Sequence, residues 1–539
     1  MEPLPESLVA ALSAPAAYPA DPSAAQGILH VQTHISHVFL SGERVYKLRK
    51  AVTLPFLDFG TRSARNADAL AELRLNRRLA PDVYLGLAAL VRDGAAFQIG
   101  PLAEEVARGA EHAVVMRRLP DARDALSLLA AGAFGPAHLA AAAERIAAFH
   151  REQTLGVPAP FTPELWRERI DRPMRDNFAG LREDAPAARL DRSALEALAE
   201  AWSSMLALRL ARLEARRAEG RAVDGHGDLH LAHLWFEAGP ETPLFVDCVE
   251  FDPDLRRIDA ASDVAFLFMD LVYRGHGGLG ERWLSAYAEA SGDFGLYEVV
   301  DLYAAYRAAV RAKVAALAAA DPEIGRAQRE AAAESAGRHL AVAARLLAPR
   351  PAGALVLVGG TVGVGKSTVA AALAEAGGAV LLSSDRTRKR LAGLRPEEHA
   401  GAAADTGLYA PAWHDRTYAA LLAHAAPALR SGRAVVLDAT WSLRIRRSAA
   451  RELAQRLGAP AWLVRVDCRE ATALERVRAR ALRGDDPSDA GPERVAQSRA
   501  RFEPLADWPE AARLELATDD PTWRGELPRL LDRAGLRAD

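Results

Sequence analysis

Lysine, cysteine and long apolar runs are all scarce in this chain of 539 residues. Only five of its 68 basic residues are lysine, and the other 63 are arginine. The two cysteines, Cys248 and Cys468, lie far apart, which argues against a disulfide framework and fits a reducing cytoplasm. No apolar run reaches the ~18 residues of a membrane span, and the acidic start, with Glu2 and Glu6, does not resemble a secretory signal. We therefore expect a cytoplasmic protein with no membrane partner.

Net charge is also small. A formal charge of −3 and a pI near 6.6 give no overall attraction to nucleic acid or to a membrane surface. The length is too great for a single hydrophobic core, so the chain contains more than one domain. Residues 348–353 read Ala-Pro-Arg-Pro-Ala-Gly and interrupt a helical pattern, which is typical of a linker. We predict one domain over residues 1–345 and another over 354–539, with residues 1–25, rich in proline and alanine, loosely held.

A glycine-rich segment between a strand-like run (354–358) and a helix-like run (368–376) is the most informative motif. It fits the Walker A pattern at every position, and its residues, with the one that follows, are Gly360, Thr361, Val362, Gly363, Val364, Gly365, Lys366, Ser367 and Thr368. The glycines let backbone N–H groups surround a phosphate at a helix N-terminus. Lys366 would reach the terminal phosphates of ATP, and the Ser367 hydroxyl would hold Mg²⁺. A plain glycine turn is the alternative, but strand, loop and helix follow one another as nucleotide binding requires.

Strand-like runs near 354–358, 379–382, 434–438 and 461–466 alternate with helical runs, which predicts a parallel α/β sheet. Asp438 ends one of these strands and is the Walker B-type candidate, which would hold Mg²⁺ through water. Asp385 follows the second strand, with Arg388 three positions later.

Residues 354–539 resemble the family of small P-loop kinases that includes gluconate kinases, zeta toxins and polynucleotide kinases. The resemblance implies that Asp385 takes the proton of a hydroxyl acceptor and that Arg388 orients the acceptor. Arg476 and Arg480, with Arg483, lie on a predicted helix before a loop at 484–487. Such a helix fits a lid whose arginines neutralise charge on the transferring phosphate. A solvated helix face is the alternative.

A second constellation lies in the N-terminal half. His226-Gly227-Asp228 is followed nineteen residues later by Asp247, in a short strand predicted at 244–247, while Lys47 lies in a strand-like run and Glu72 in a helix predicted at 62–79. Residues 28–345 thereby resemble the aminoglycoside phosphotransferase-like kinases, which share the protein-kinase fold. The resemblance implies that Asp228 is the base and that Mg²⁺ is bound by Asp247 and by His233, five residues after the base. It also implies that Lys47 binds phosphate and that Glu72 is its ion-pair partner. Met116 lies in the segment 114–117, which resembles the adenine-binding hinge.

Two departures from the family pattern keep a different function open. The family has asparagine where this chain has His233, and imidazole is a poorer ligand for Mg²⁺ than an amide oxygen. Residues 33–36, before Lys47, contain no glycine and do not form a glycine-rich phosphate flap. The runs 249–252, 257–259 and 263–267 fit a bacterial branch of the family that is fused to a P-loop domain.

The sequence therefore predicts a bilobal, protein-kinase-like α+β domain followed by a P-loop α/β domain. We expect two ATP- and Mg²⁺-dependent sites that transfer the γ-phosphoryl group to a hydroxyl of a small-molecule acceptor. One alternative is a nucleotide-sensing regulator with an N-terminal pseudokinase. Another is a 5′-hydroxyl polynucleotide kinase, for which the basic run 386–390 is the support, although nucleic acid is not favoured. The pattern defines neither the acceptor, nor any coupling between domains, nor the oligomeric state.

Overall fold

The computed structural model of the chain describes residues 7–536 except 55–56, 94–95, 108, 396–397, 399–406 and 484–490. The side chains of residues 54, 93, 96, 409 and 480–483 are not described either. The chain folds into two compact units, one formed by Met1–Asp176 and Leu213–Leu271 and the other by Asn177–Arg212 and Val272–Asp539. The domain boundary near residues 345–354 stays a prediction.

The first unit is built on a six-stranded antiparallel sheet in the order β1-β2-β3-β8-β6-β7. The strands of its N-terminal part are β1 Leu29–Gln32, β2 Ser36–Leu40, β3 Arg44–Arg49, β4 Thr53–Leu54, β5 Leu57–Asp58, β6 Tyr84–Asp93, β7 Ala96–Ile99 and β8 Glu111–Arg117. The central strands β3 and β8 pair with Lys47 opposite Val114 and Val45 opposite Met116. This register places the predicted lysine and the predicted hinge on neighbouring strands.

One face of this sheet is covered by helix α2 (Arg62–Asn76), which the sequence predicted at 62–79. The helix begins at the N-cap Thr61, whose hydroxyl accepts a hydrogen bond from the backbone N–H of Ala64 at 3.2 Å. Its apolar side, with Ala69 and Leu73, packs on the sheet against Val114 and its neighbours. The same buried side carries Glu72, so packing alone directs that carboxylate toward the sheet.

The opposite face of the sheet is covered by the N-terminal segment. Helix α1 (Leu8–Leu12) buries both of its terminal leucines, and Tyr18 packs with them against Phe39 and Tyr46. The expectation that residues 1–25 are loosely held is therefore wrong for the described part, 7–25. Apolar residues scattered through this segment cover the second face of the sheet. The proline and alanine content of the segment does not reveal this packing.

The rest of the first unit consists of helices and two short antiparallel strand pairs. The helices are α3 Ala125–Ala130, α4 Pro136–Glu152, α5 Pro163–Asp184, α6 Arg192–Ala218 and α7 Ala260–Tyr273, of which the last three also extend into the second unit. The pairs are β9 (Ala222–Asp224) with β12 (Arg257–Asp259), and β10 (Leu234–Phe236) with β11 (Pro243–Phe245). The two pairs hold the segments that carry Asp228 and Asp247. An antiparallel sheet with one helix on its face, followed by a mainly helical part, is the protein-kinase-like fold.

The second unit contains a five-stranded parallel sheet in the order β14-β15-β13-β16-β17. Its strands are β13 Leu355–Gly359, β14 Val380–Ser383, β15 Val435–Asp438, β16 Ala461–Asp467 and β17 Arg513–Ala517. Its helices are α8 Gly277–Ser291, α9 Val300–Ala320, α10 Arg326–Leu347, α11 Lys366–Gly377, α12 Ser384–Leu391, α13 Pro411–Arg430, α14 Arg444–Leu457, α15 Glu470–Arg483, α16 Glu493–Ala500 and α17 Leu527–Ala534. The parallel α/β architecture and four of the five strands agree with the sequence analysis.

The predicted linker is packed against the second unit. A Cβ atom on Gly353 would lie 2.0 Å from the backbone oxygen of Arg433, so the chain passes too close there for any other residue. The Arg433 side chain in turn contacts Glu281 of α8 and Asp301 of α9. Helices α8 and α9 and the start of β15 are thereby joined within one unit. Among the described residues, no helix is both long enough and apolar enough to cross a membrane.

Candidate active sites

The glycine-rich loop lies between β13 and α11, with helix α11 beginning at Lys366. Two of its glycines have positive φ and no room for a side chain. A Cβ atom on Gly360 (φ +153°) would lie 2.3 Å from the Val466 oxygen, and one on Gly363 (φ +82°) would lie 2.6 Å from the Ala473 oxygen. Close contact with β16 and α15 therefore fixes the path of the loop, and only glycine allows it.

Two of the remaining loop residues are held by neighbouring side chains, and the two residues that follow Lys366 are exposed. Val364 is fully buried, and its carbonyl accepts a hydrogen bond from the Thr518 hydroxyl at 2.7 Å, while the N–H of Val362 donates to the Ser498 hydroxyl at 3.1 Å. Ser367 and Thr368 are exposed on the first turn of α11. Two loop hydroxyls are thus available to a ligand at a helix N-terminus, where backbone N–H groups favour an anion.

Lys366 lies over its own loop. Its Nζ donates a hydrogen bond at 2.7 Å to the backbone oxygen of Thr361, and the Thr361 hydroxyl is buried without a hydrogen-bond partner among the described residues. An orphaned buried hydroxyl beside an ammonium group is a polar site prepared for a further acceptor. The phosphate oxygens of a nucleotide would supply that acceptor.

Strand register brings the two predicted carboxylates to the same sheet edge as the loop. Ser383 of β14 lies beside Asp438 of β15, which lies beside Val358 of β13, two residues before the loop. Asp438 is buried, whereas Asp385, in the first turn of α12, is partly exposed and forms an ion pair with the buried Arg388. The ion pair fixes the orientation of the Asp385 carboxylate.

Arg476 lies against the base of the phosphate loop. Its guanidinium donates to the Thr518 hydroxyl at 2.8 Å and to the Thr518 backbone oxygen at 2.9 Å. A Cβ atom on Gly365 would lie 3.4 Å from Nη1 of Arg476. The side chains of Arg480 and Arg483 and the loop 484–487 lie outside the described residues. The lid therefore stays a prediction, while Arg476 already contacts the residue that supports the loop.

In the first unit, Lys47 is held between two carboxylates. Its Nζ lies 2.9 Å from Oε1 of Glu72 and 2.7 Å from Oδ1 of Asp247. Glu72 is fully buried, so it has lost its hydration and depends on cationic partners. Burial lowers the pKa of Lys47, but Asp247 and Glu72 outweigh that effect and hold the pKa above its ordinary value. Lys47 is therefore a fixed cation, as a phosphate-binding lysine requires.

Asp247 follows β11 rather than ending it. The strand ends at Phe245, two residues earlier than the 244–247 strand of the sequence analysis, and Asp247 has φ +61°. Its N–H donates to the Tyr84 hydroxyl at 3.0 Å, which stabilises this left-handed turn. This turn directs the carboxylate of Asp247 toward Lys47, whereas in a regular strand the side chain would point away from Lys47.

Asp228 lies in a group of three histidines. His233 Nδ1 is 3.0 Å from the backbone oxygen of Asp228 and 3.4 Å from its Oδ2, and His230 Nε2 is 3.5 Å from the same Oδ2. Burial raises the pKa of Asp228, but His230, His233 and His226 outweigh that effect, so the pKa lies well below its usual range. The predicted base is thus an ionised carboxylate next to neutral or cationic imidazoles.

The loop that carries Asp228 is positioned by a buried carboxylate, Asp263. Its oxygens accept hydrogen bonds from the backbone N–H groups of His226 at 2.7 Å and Gly227 at 2.9 Å, and His150 Nε2 lies 3.0 Å away. Burial raises the pKa of Asp263, but His150, His226 and the backbone N–H groups outweigh it and the pKa is lowered. Asp263 lies in the run 263–267 of the family resemblance, where no role was predicted for it.

A second residue without a predicted role is Arg49. It lies two positions after Lys47 on the same face of β3 and is almost fully buried. Its guanidinium contacts three carboxylates, Glu72 at 2.7 Å, Asp68 and Glu250. Burial raises the pKa of Glu250 to about 8, although Arg49 opposes the shift. The strand alternation could have revealed Arg49, because every second residue of a strand shares a face.

Met116, the hinge candidate, is half-buried near the end of β8 and packs with Ala69, Leu73 and Val114. Its strand neighbours are Val45 and Tyr84. The residue therefore lies in the apolar layer between the sheet and α2, and its adenine-binding role stays a prediction.

The two sites differ in how well they suit Mg²⁺. In the second unit, Ser367 and Asp438 offer a hydroxyl and a carboxylate oxygen, and hard oxygen donors are what Mg²⁺ prefers. In the first unit, Asp247 offers oxygen, but His233 offers nitrogen, with Nε2 at 3.5 Å from Asp247 Oδ2. Imidazole suits Mg²⁺ poorly. The C-terminal residues thus fit magnesium, and the N-terminal pair does not.

One comparison with known proteins matches the C-terminal part of the chain, and another matches most of its length. A family model described as an AAA domain matches residues 355–505. Rv2004c of Mycobacterium tuberculosis and Mb2027c of Mycobacterium bovis are each 34% identical to this chain over 486 residues, which is 90% of this chain and 92% of theirs.

Solved structures match each part separately. A gluconokinase from Sinorhizobium meliloti 1021 covers 34% of this chain and 96% of its own length, with 20% identity and a TM-score of 0.24. A choline kinase from Cryptosporidium parvum covers 63% of this chain and 95% of its own length, with 9% identity and a TM-score of 0.40. A choline/ethanolamine kinase family protein from Mesorhizobium loti covers 61% and 97%, with 14% identity and a TM-score of 0.31.

Proposed function

This chain belongs to the same family as the mycobacterial proteins Rv2004c and Mb2027c, and we propose that it is an ATP-dependent phosphotransferase with two sites. At each site the γ-phosphoryl group of ATP passes to a hydroxyl group of a small-molecule acceptor. The observation that carries the proposal is the sheet edge of the second unit. There a glycine-constrained loop ending in Lys366 shares one edge with Asp438 and Asp385.

At the C-terminal site the loop N–H groups and Lys366 bind the phosphates of ATP. Asp385 accepts the proton of the acceptor hydroxyl as its oxygen attacks the γ-phosphorus and the bond to the β,γ-bridging oxygen breaks, which leaves ADP. Arg388 holds Asp385 in place through their ion pair. Arg476 supports the loop through Thr518, and Arg480 closes on the transferring phosphate. Mg²⁺ bound by Ser367 and Asp438 would supply neutralising charge at the phosphates.

At the N-terminal site Lys47 binds phosphate and Asp228 accepts the acceptor's proton. Lys47 carries this role because Glu72, on α2, holds it beside Asp247. Met116 contacts the adenine. The lysine content of the chain supports both sites, since two of only five lysines lie at the two phosphate positions.

The test is acceptor-dependent ADP release from ATP by the full chain and four variants. The substrates are sugars, aminoglycosides, nucleosides and 5′-hydroxyl oligonucleotides, and products are identified by the mass added by a phosphate group. Lys366→Ala removes the C-terminal site, and Lys47→Ala removes the N-terminal one. Lys50→Ala is the matched control, because Lys50 lies three residues from Lys47 and forms a solvent-exposed hydrogen bond to Gln32 at 3.1 Å.

We expect the two single-site variants to lose different acceptors, each by at least about a hundredfold, the size of effect seen when one charge-stabilising donor is removed. The double variant should have no acceptor-dependent turnover, and Lys50→Ala should match the wild type. Wild-type turnover by the double variant would show that neither lysine serves phosphate transfer.

A second candidate function is nucleotide sensing, with the N-terminal site as a pseudokinase. One specific observation favours it: the turn before Lys47 is closed by the Thr33 hydroxyl, which accepts from the Ser36 N–H at 3.0 Å, so this segment is a tied turn without glycine. This function predicts tight ATP binding to the Lys366→Ala variant with no ADP release for any acceptor.

Polynucleotide 5′-phosphorylation receives less support, because the basic run 386–390 is engaged internally. Arg386 pairs with Glu289, Arg388 pairs with Asp385, and Lys389 is buried. A run of this kind offers few charges to a phosphate backbone. Binding of a 5′-hydroxyl oligonucleotide that weakens steeply with salt would favour this function.

A further inference from the structure

The imidazole of His233 lies between the two carboxylates of the N-terminal site. Its Nδ1 side meets Asp228, and its Nε2 lies 3.5 Å from Oδ2 of Asp247. The ring of His230 is close by, with its centroid 3.9 Å from that of His233. Ligand atoms of Asp228, His230 and His233 all lie within 4.8 Å of one another. The imidazole of His233 therefore has one carboxylate beside each of its two nitrogen atoms, and a second imidazole against its ring.

Hydrogen bonding defines which nitrogen of His233 is free. The backbone oxygen of Asp228, 3.0 Å from Nδ1, can only accept, so Nδ1 carries the proton. In the neutral ring, Nε2 then presents a lone pair toward the carboxylate of Asp247. Two acceptors that face each other at this distance repel unless a cation lies between them.

The same hydrogen bond matches the support that metal-bound histidines use. Such histidines almost always donate their second ring N–H to a carboxylate or a backbone carbonyl, which fixes tautomer and ring orientation. The carboxylate of Asp247 is divided in a corresponding way. Lys47 contacts Oδ1 at 2.7 Å, which leaves Oδ2 on the side of His233.

We propose that Asp247 Oδ2 and His233 Nε2 bind a divalent transition-metal ion of the Co²⁺ or Zn²⁺ type, where the fold would lead one to expect Mg²⁺. A mixed set of imidazole nitrogen and carboxylate oxygen favours these ions, whereas Mg²⁺ prefers oxygen alone. This inference extends the proposed function of the N-terminal site, and the role of the ion in phosphate transfer rests on that function. Binding of the ion does not depend on turnover.

The test is titration of the untagged full chain with Co²⁺, without nucleotide, followed by the visible ligand-field absorption of the bound ion. His233→Asn restores an amide oxygen and is the critical variant, and Asp247→Asn is a second one. His276→Asn is the matched control, because His276 is exposed and lies before α8, outside both sites. Circular dichroism checks that each variant is folded.

We expect one tightly bound Co²⁺ in the wild type and in His276→Asn. His233→Asn and Asp247→Asn should each bind Co²⁺ at least about tenfold more weakly, the loss that a supporting contact alone can cause. Zn²⁺ should displace Co²⁺, and a large excess of Mg²⁺ should not. Equal Co²⁺ affinity in the wild type and in folded His233→Asn or Asp247→Asn would overturn the proposal, as would ready displacement by Mg²⁺.

The outcomes also separate this inference from the proposed function. Co²⁺ binding that requires His233, in a protein without acceptor-dependent turnover, would support the metal site and refute the N-terminal transfer reaction. N-terminal turnover supported by Mg²⁺, with no Co²⁺ binding that depends on His233, would leave the transfer reaction in place and remove the metal site.

Discussion

At the scale of single residues, buried ion pairs do most to shape the N-terminal site. Arg49 alone contacts Asp68, Glu72 and Glu250, and Glu72 also contacts Lys47. Removal of one partner from a buried ionic group leaves charges that neither water nor protein compensates. The orientation of the lysine therefore depends on a cation that itself need not touch ATP.

We predict that Arg49→Met lowers the free energy of unfolding by about 3–5 kcal/mol, the usual result of breaking a buried pair. Urea-induced unfolding followed by circular dichroism measures this change. Lys50→Met, one residue along and only partly buried, is the control and should change stability by no more than about 0.5 kcal/mol. Equal effects of the two substitutions would show that the buried network does not stabilise the fold.

Asp263 gives a prediction about pH. Its folded-state pKa is lowered, so its contribution to stability is present above the unfolded pKa of about 4 and disappears as the pH falls through the folded value. Asp263→Asn should therefore be less stable than the wild type by about 3 kcal/mol at pH 7. The gap should narrow as the pH drops below about 4.

Urea unfolding at a series of pH values measures that gap. Asp82→Asn, at an exposed position, is the matched control and should follow the wild type at every pH. A gap between the wild type and Asp263→Asn that stays constant down to pH 3 would show that ionisation of this carboxylate contributes nothing.

At the scale of residues, the sequence predicted the chemical roles of side chains better than it predicted their contacts. Lys47, Glu72, Asp228 and Asp247 were assigned from the family resemblance, and the structure brings Lys47 to both Glu72 and Asp247. Arg49 was not assigned a role, because the strand alternation places it on the face of Lys47 but does not show that it is buried there. Its importance comes from burial, which depends on how α2 packs against β3.

At the scale of secondary structure, the phosphate loop depends on two glycines that contact neighbouring elements. Gly363→Ala would place a methyl group 2.6 Å from the Ala473 oxygen at a positive φ. We expect the variant to lose ATP binding at the C-terminal site and to be destabilised by more than the ~1–2 kcal/mol that left-handed backbone costs by itself.

Gly393→Ala is the matched control for this prediction. Gly393 has a similar φ of +73°, but no atom lies within 4 Å of the added carbon. Isothermal titration with a non-hydrolysable ATP analogue and thermal unfolding compare the two variants. If both lose the same stability and neither loses nucleotide affinity, the close approach of α15 to the loop has no functional importance.

Element prediction succeeded where apolar runs were continuous and failed where apolar and polar residues alternate or where a turn depends on a distant contact. The apolar strands β13, β14, β15 and β16 were predicted within a few residues, because buried parallel strands are continuous apolar runs. Strand β17, with the sequence Arg-Leu-Glu-Leu-Ala, was missed, since an edge strand alternates and resembles an exposed helix turn. The left-handed turn at Asp247 was also missed, because it depends on the distant Tyr84 hydroxyl.

At the scale of the whole molecule, the second unit joins helices from the predicted N-terminal domain to the P-loop sheet. Arg433 is nearly fully buried, donates to both oxygens of Asp301 at 2.8 and 2.9 Å, and reaches Glu281 at 2.8 Å. Residue 433 precedes β15, the strand that ends in Asp438. The sequence indicated a linker here but not that α8 and α9 pack on the sheet.

We predict that Arg433→Met lowers the thermal stability of the full chain and reduces turnover at the C-terminal site, since Glu281 and Asp301 would lose their cation. The expected loss in free energy of unfolding is about 3–5 kcal/mol. Arg430→Met is the matched control, because Arg430 is exposed and forms one contact with Glu298 at 3.0 Å. Differential scanning calorimetry compares the two variants. A similar loss of stability in both would show that the ion pairs of Arg433 are incidental.

The passage of Gly353 against Arg433 also bears on how such a gene can change over time. Recombination that exchanged everything after residue 353 would bring a foreign backbone to a position with no space for it and deprive two acidic groups of their arginine. We expect the parts of the gene before and after residue 353 to be inherited together. The contact between Gly353 and Arg433 should limit how fast each part can change.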